Sequence, residues 1–178
     1  LRFIGGRGMN IARLFADNRR HIDPLSPESR FYIGVGPLNG TSFPGAARVN
    51  FTARSPQTGI LGDSNTGGDF GPELKFAGYD QVILHGRSEK PCYLLLTDDG
   101  AEFRDASHLK GLDTIRTQAA IKKELGDTRV QVAAIGPASE NGVLFSGIFC
   151  TGVRAAARTG MGRVLASKNV KAIAVRGS

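Results

Sequence analysis

The sequence predicts an α+β fold built from a repeated β-rich unit. Two observations carry this. Strand-like segments come in hairpins interrupted by short helices, without the regular alternation of strand and long helix that marks a doubly wound parallel sheet. The chain also matches itself. Ile33-Gly34-Val35-Gly36-Pro37 returns as Ala133-Ala134-Ile135-Gly136-Pro137. Asn65-Thr66-Gly67-Gly68, a short helix and a strand ending His85-Gly86-Arg87-Ser88 return as Arg158-Thr159-Gly160-Met161-Gly162, a short helix and a strand ending Val175-Arg176-Gly177-Ser178. Matches in one order read as duplication, with copies at roughly 30–88 and 129–178. Duplicated units tend to pack about a pseudo-two-fold axis, which turns their Gly-rich turns towards one shared site.

Element by element, Met9 to Arg20 is a short amphipathic helix with Ile11, Leu14 and Phe15 on one face, entered through a flexible Gly5-Gly6-Arg7-Gly8. Asp23 to Pro27 is a loop, because each proline disfavours helix before it. Phe31 to Val35 is an apolar strand, and Arg48 to Arg54 alternates, with Val49, Phe51 and Ala53 on one face. Gly71-Pro72 opens a short helix, the proline standing where a missing N–H does no harm, and Gly78 closes it. Gln81 to His85 is a strand stopped by Gly86. Pro91 to Thr97 and Ala101 to Arg104 form a hairpin about Asp98-Asp99-Gly100. Asp113 caps a helix ending at Leu125 and Gly126, with Leu112, Ile115, Ala119 and Leu125 as its buried face. Arg129 to Ile135, Val143 to Phe149 and Lys171 to Val175 are the remaining strands.

With 178 residues, 40% of them hydrophobic, the chain can bury a sizeable core. A net charge of +7 favours anionic partners without choosing among them. The sequence holds no run of five Lys or Arg, no apolar run long enough to span a membrane and no signal peptide between Leu1 and Met9, so a cytoplasmic location is expected. Cys92 and Cys150 lie far apart without metal-binding spacing and read as buried reduced thiols. The chain opens on Leu1-Arg2-Phe3 and stops after an apolar strand, which reads as a segment cut from a longer protein.

Three clusters could carry chemistry. In Asn65-Thr66-Gly67-Gly68, adjacent glycines let backbone N–H groups face an anion with no side chain in the way; an ordinary loop before a helix is the plainer alternative. Arg154-Ala155-Ala156-Ala157-Arg158 reads as one helical face with two arginines at i, i+4, suited to phosphate, or else as a solvated face. The open-backbone turn Gly160-Met161-Gly162 follows it. Arg48 comes after the small residues Pro44-Gly45-Ala46-Ala47. His21, His85 and His108 are scattered, Asp98 and Asp99 form a turn, and Glu73 and Lys75 are expected in solvent. The sequence has no nucleophile elbow, P-loop or zinc ligand set. The residues alone describe a binder of a phosphorylated ligand.

At those clusters the sequence resembles the N-terminal domain of the aldehyde:ferredoxin oxidoreductase family along essentially its full length. The resemblance rests on Asp23-Pro24-Leu25-Ser26-Pro27-Glu28, Gly36-Pro37-Leu38-Asn39-Gly40-Thr41-Ser42, Ser55-Pro56-Gln57-Thr58-Gly59, Asn65-Thr66-Gly67-Gly68, Glu73 to Asp80, Arg104 to His108, Ile135-Gly136-Pro137-Ala138 and Ser167 to Ala172. It implies two similar β-sheets forming a base for a tungsten (or molybdenum) bis-pterin whose phosphates are bridged by magnesium. By position, Arg48, Asn65, Gly67, Gly68, Arg154, Ala155, Ala157 and Arg158 would contact the cofactor, and the backbone carbonyls of Asn65 and Ala155 would ligate Mg²⁺, which favours oxygen. Ala157 stands where glycine is expected. The opening strand pair before Leu1 is absent, and the family's iron–sulfur cysteines, for a 4Fe-4S cluster, and catalytic acid and histidine would follow Ser178. The implied parent enzyme oxidises aldehydes to carboxylic acids. Its partners would be its remaining domains, ferredoxin and, in a dimer, a second copy; the segment alone would be inactive. A stand-alone module for phosphate or nucleic acid is the alternative, although no aromatic residues interleave with a basic stripe. Another is a non-aldehyde, ring-reducing member of the same family.

Overall fold

The computed structural model describes residues 2–17 and 22–178. A four-stranded antiparallel sheet contains β1 (Phe31–Val35), β2 (Val49–Arg54), β3 (Leu61–Thr66) and β4 (Gln81–Leu84) in the order β3-β2-β1-β4. The helix α2 (Phe70–Phe76) joins β3 to β4. A six-stranded sheet contains β5 (Cys92–Thr97), β6 (Gly100–Asp105), β7 (Gln131–Ala134), β8 (Ile148–Cys150), β9 (Arg154–Ala156) and β10 (Val170–Arg176) in the order β6-β5-β10-β7-β8-β9. Its one parallel pair is β5 with β10. The run β9-β8-β7-β10 repeats β3-β2-β1-β4, and α5 (Met161–Ser167) stands where α2 stands in the first copy. The β5–β6 hairpin and α3 (Thr114–Leu125) lie between the copies in sequence, and β5 extends the second sheet through β10. The expected α+β fold with two similar sheets is what forms.

One continuous core joins the sheets. Phe31, Ile33, Phe51 and Leu74 from the first copy pack with Leu96, Ile148, Leu165 and Ile173 from the second half. The second sheet is apolar on both faces. Leu94, Ala133 and Ile173 face this core, while their neighbours Tyr93, Val132 and Ala174 pack under α3 with Ile121. Strand alternation sends successive side chains to opposite faces, so both sets come from the same three strands. Each fully buried large side chain contributes about 1.5–3 kcal/mol.

The helix α1 (Gly6–Asp17) begins earlier than its apolar pattern predicts, taking in Gly6, Arg7 and Gly8, and the expected extension to Arg20 lies outside the described residues, as does His21. It docks through a polar residue. Asn10 is fully buried, donates to Asn50 Oδ1 at 2.9 Å and accepts from Gln81 Nε2 at 2.7 Å. Gly34 makes room, since a Cβ there would come within 2.6 Å of Asn10 Oδ1. Phe15, expected on the buried face, is 83% exposed. The face of α3 is likewise rotated from expectation: Ile115 and Ala119 are exposed, while Thr117, Gln118 and Ile121 are buried. Its caps form as predicted, with Asp113 Oδ1 accepting from Arg116 N at 2.7 Å and Gly126 left-handed at φ 66°. Val143 to Ser146 is turn and not strand, and α4 (Pro137–Glu140) occupies the connection before it. Glu73, expected in solvent, accepts from Arg176 Nη1 and Gly177 N, both at 2.9 Å, and so ties α2 to the end of β10.

Cys92 and Cys150 are buried free thiols, as expected, and burial pushes both pKa values up. Lys168 is also buried; its ammonium donates to the carbonyls of Ser29 and Gly86. Burial lowers its pKa from 10.5 to about 8. The unfolded chain therefore holds one more proton between those values, and stability rises with pH across that window. Urea denaturation of wild type and Lys168→Met at pH 7.5 and 9.5 should show wild type gaining on the variant at the higher pH; an unchanged difference would contradict this.

Candidate anion-binding site

The edge strands of the two copies meet. Ser64 Oγ on β3 donates to Ala157 O at 2.8 Å and lies 2.7 Å from Thr159 Oγ1. An edge strand keeps half its backbone groups free of ladder bonds. Both edges therefore bring backbone donors and acceptors, as well as side chains, to the seam between the sheets.

The sequence predicts Asn65 in a turn; it lies near the end of β3, and the turn is confined to the short stretch after Thr66 that leads through Gly67 and Gly68 into α2. The strand carries no apolar pattern, because its inward residues, Gly62, Ser64 and Thr66, are small or polar. A Cβ on Gly67 would meet nothing within 4 Å, so its backbone is open to an incoming group. Gly68 has φ 102°, which favours glycine, and a Cβ there would come within 2.7 Å of Thr151 Oγ1 and 2.9 Å of Arg154 Cδ. Asp69 N donates to Thr151 Oγ1 at 3.1 Å. The Gly67-Gly68 turn of the first copy thus packs directly on the β8–β9 turn of the second.

Arg154 and Ala155 are not helical. They belong to β9, with Phe149 opposite Ala155 and Cys150 opposite Arg154. The expected i, i+4 face does not form, and Arg158 instead follows the strand with φ 82°. Strand pairing overrides the helical preference of the three alanines. Gly160 and Gly162 also differ from expectation. They are packing glycines, not an open turn: a Cβ on Gly160 would strike Leu144 O and one on Gly162 would strike Gly147 O. Gly147 likewise gives room to Ala157, whose Cα would stand 3.2 Å from a Cβ there.

Arg48, just before β2, donates from Nη1 to Asn65 Oδ1 at 2.6 Å. The buried Asn39, which sequence reasoning did not single out, donates to Arg48 O at 3.1 Å and fixes the approach of that residue. The structure therefore brings Arg48, Asn65, Gly67, Gly68 and Arg154 into one connected surface, with Ala155 next along β9 and Ala157 and Arg158 at its exit. Among the described residues, Arg48, Arg154 and Arg158 pair with no carboxylate. Asp63, the acid on β3, is taken by Arg7 at 2.5 Å. The site thus offers uncompensated guanidinium charge beside open backbone, which is the chemistry of phosphate binding. Among the described residues, no group of three or more His, Cys, Asp or Glu could hold a metal ion.

Gln118 is a second residue that sequence reasoning missed. Its buried amide donates from Nε2 to Gly152 O and accepts from Gly152 N, both at 2.9 Å, clamping the β8–β9 turn that carries Thr151 and leads to Arg154. Gln118→Ala should cost about 1–3 kcal/mol, because it removes two hydrogen bonds worth about 0.5–1.5 kcal/mol each. It should also speed amide exchange at Gly152 and Val153; exchange unchanged at those residues would contradict the clamp.

The model of the aldehyde ferredoxin oxidoreductase N-terminal domain matches residues 1–177. The tungsten-containing aldehyde ferredoxin oxidoreductase of Thermococcus kodakarensis is 50% identical over 177 residues, and that of Pyrococcus furiosus 49%; each alignment covers 99% of this chain and 29% of the relative. The chain thus spans under a third of the length of these relatives. The BamBC active-site complex of benzoyl coenzyme A reductase, solved with 1,5-dienoyl-CoA, contains a chain that superposes with a TM-score of 0.96 at 43% identity, covering 99% of this chain and 27% of that one. The seam, its open glycine turn and its arginines are therefore features of a chain that belongs to the aldehyde ferredoxin oxidoreductase family, in its N-terminal domain.

Proposed function

We propose that this chain cradles the phosphates of a tungsten bis-pterin in an oxidoreductase that converts aldehydes to carboxylic acids and passes electrons to ferredoxin. The observation that carries this reading is the contact of the Gly67-Gly68 turn with Arg154, beside Arg48, with no carboxylate partner to either arginine among the described residues. The residues present fit such a group. Arg48, Arg154 and Arg158 would neutralise phosphate oxygens, Gly67 and Gly68 would donate backbone N–H groups, and Ala155 would let the ligand approach closely, while the methyl of Ala157 adds bulk at the rim. The carbonyls of Asn65 and Ala155, one on each edge strand, would hold Mg²⁺ and so offset phosphate charge. When bound, the pterin-held metal supplies the redox chemistry, and the protein orients and tunes it.

This chain contributes no redox residue to that scheme. Cys92 and Cys150 are buried on different strands and suit packing; a 4Fe-4S cluster and the catalytic groups would come from the rest of a longer enzyme, with ferredoxin and a dimer mate as further partners. Among the described residues, no helix is long and apolar enough to cross a membrane; a cytoplasmic location is part of the proposal. The likeness to a chain of benzoyl coenzyme A reductase supports a second reading, in which the same cradle serves a ring-reducing enzyme.

Elemental and pterin analysis of the full-length enzyme tests the cradle. Wild type should carry tungsten or molybdenum with pterin, and an Arg48→Gln/Arg154→Gln variant should lose most of both. Full loading of the double variant would overturn the assignment. Aldehyde oxidation by the 178 residues alone would overturn the division of labour.

A further inference from the structure

We infer that the chain carries a second anion site, for a small organic phosphate such as a nucleoside monophosphate, in a cavity that shares no residue with the cradle. The cavity has a volume of about 490 Å³, within the range usual for small-molecule sites. It opens where the loop after β4, the segment before α3, the helices α4 and α5 and the start of β10 converge. These elements bring Arg87, Lys110, Arg163 and Lys171 to its wall, against one carboxylate, Glu140.

That carboxylate is already engaged. Glu140 Oε1 accepts from Lys171 Nζ at 2.7 Å, and its Oε2 accepts from Gly111 N at 2.9 Å. Lys171 is 3% exposed and also donates to Leu112 O at 2.8 Å, so the pair is internally neutral. Arg87, Lys110 and Arg163 remain, and none pairs with a carboxylate among the described residues.

Arg163 is the strongest sign of a ligand. A guanidinium has five N–H donors. Here one of them makes a 3.4 Å contact with Ser139 O, and Nε is buried without a partner. Buried donors are seldom left unused, and each exception asks for an explanation. The buried Nε shows that the protein itself does not satisfy this guanidinium, and an anion in the cavity supplies acceptors for its outer donors, whose planar fork suits the bidentate geometry of phosphate. Beside the cations, Ile135, Ala166 and Val170 give the wall an apolar stretch. An apolar surface next to three uncompensated cations fits a phosphate carrying a ring or short carbon frame better than a bare inorganic ion.

This inference does not depend on the pterin reading, and calorimetric titration of the purified protein with AMP and with inorganic phosphate tests it. AMP should bind at least about tenfold more tightly than phosphate. Arg163→Gln should weaken AMP by about tenfold or more, the loss expected for a charge-assisted contact. Lys123→Gln, at an exposed position on α3 outside both sites, should leave AMP affinity unchanged. Lys110→Gln, at an exposed position, should weaken AMP as well and stands in if the Arg163 variant does not fold. Absence of AMP binding, equal affinity for AMP and phosphate, or loss of AMP binding in Lys123→Gln but not in Arg163→Gln or Lys110→Gln would overturn the proposal.

Discussion

Gly68→Val is expected to cost about 2–5 kcal/mol of folding free energy, whereas Gly67→Ala, one residue away, should cost under about 1 kcal/mol. The left-handed backbone at Gly68 accounts for about 1–2 kcal/mol of the larger figure. Forcing a side chain against Thr151 Oγ1 and Arg154 Cδ accounts for a further 1–3 kcal/mol or so. Gly67 has open space around its Cα. Its substitution should instead weaken binding of pyrophosphate, by placing a methyl where the anion must approach the backbone. Urea denaturation and pyrophosphate titration of the two variants should therefore separate: Gly68→Val loses stability, and Gly67→Ala keeps stability but loses affinity. Equal stability losses would contradict the contact between the two copies.

Arg154→Gln and Arg48→Gln should each lower pyrophosphate affinity by about 10–100-fold, the range for losing a charge-assisted hydrogen bond of about 1.5–3 kcal/mol. Stability should change by less than about 0.5 kcal/mol, because both side chains are exposed and make no ion pair among the described residues. Arg48 differs from Arg154 in one respect. Its bond to Asn65 Oδ1 also orients that residue, so Arg48→Lys should recover only part of the affinity, since an ammonium cannot reproduce the guanidinium fork. Pyrophosphate titration with parallel melting curves checks both expectations; a loss of affinity that tracks a loss of stability would contradict them.

The sequence made the core of this fold legible and its edges illegible, for physical reasons. Phe31 to Val35 and the hairpin of β5 and β6 announce themselves because buried strands need apolar runs and tight turns need particular residues. Asp113 and Gly126 mark the ends of α3 for a similar reason: caps have specific chemistry. Edge strands obey weaker rules. Leu61 to Thr66 buries glycine, serine and threonine, and Arg154 to Ala156 is made of residues that favour helix. Both become strands because neighbouring β2 and β8 supply hydrogen-bond partners. The candidate site lies on those two edges, so its residue types were legible while its geometry was not. Polar burial was equally silent. Gln118 and Asn10 occupy positions that a hydrophobic pattern assigns to solvent, and each is buried to bind another element. Gly160 and Gly162 resembled an anion-binding turn but are close-packing contacts, a distinction that composition alone does not make.

The most direct test of the cradle is an amide NMR titration of the chain with magnesium pyrophosphate. The account predicts that the largest shifts fall on Gly67, Gly68 and Ala155, on both edge strands at once, and that Arg48→Gln and Arg154→Gln weaken the response together. Shifts confined to one edge, or centred away from the seam between β3 and β9, would contradict it.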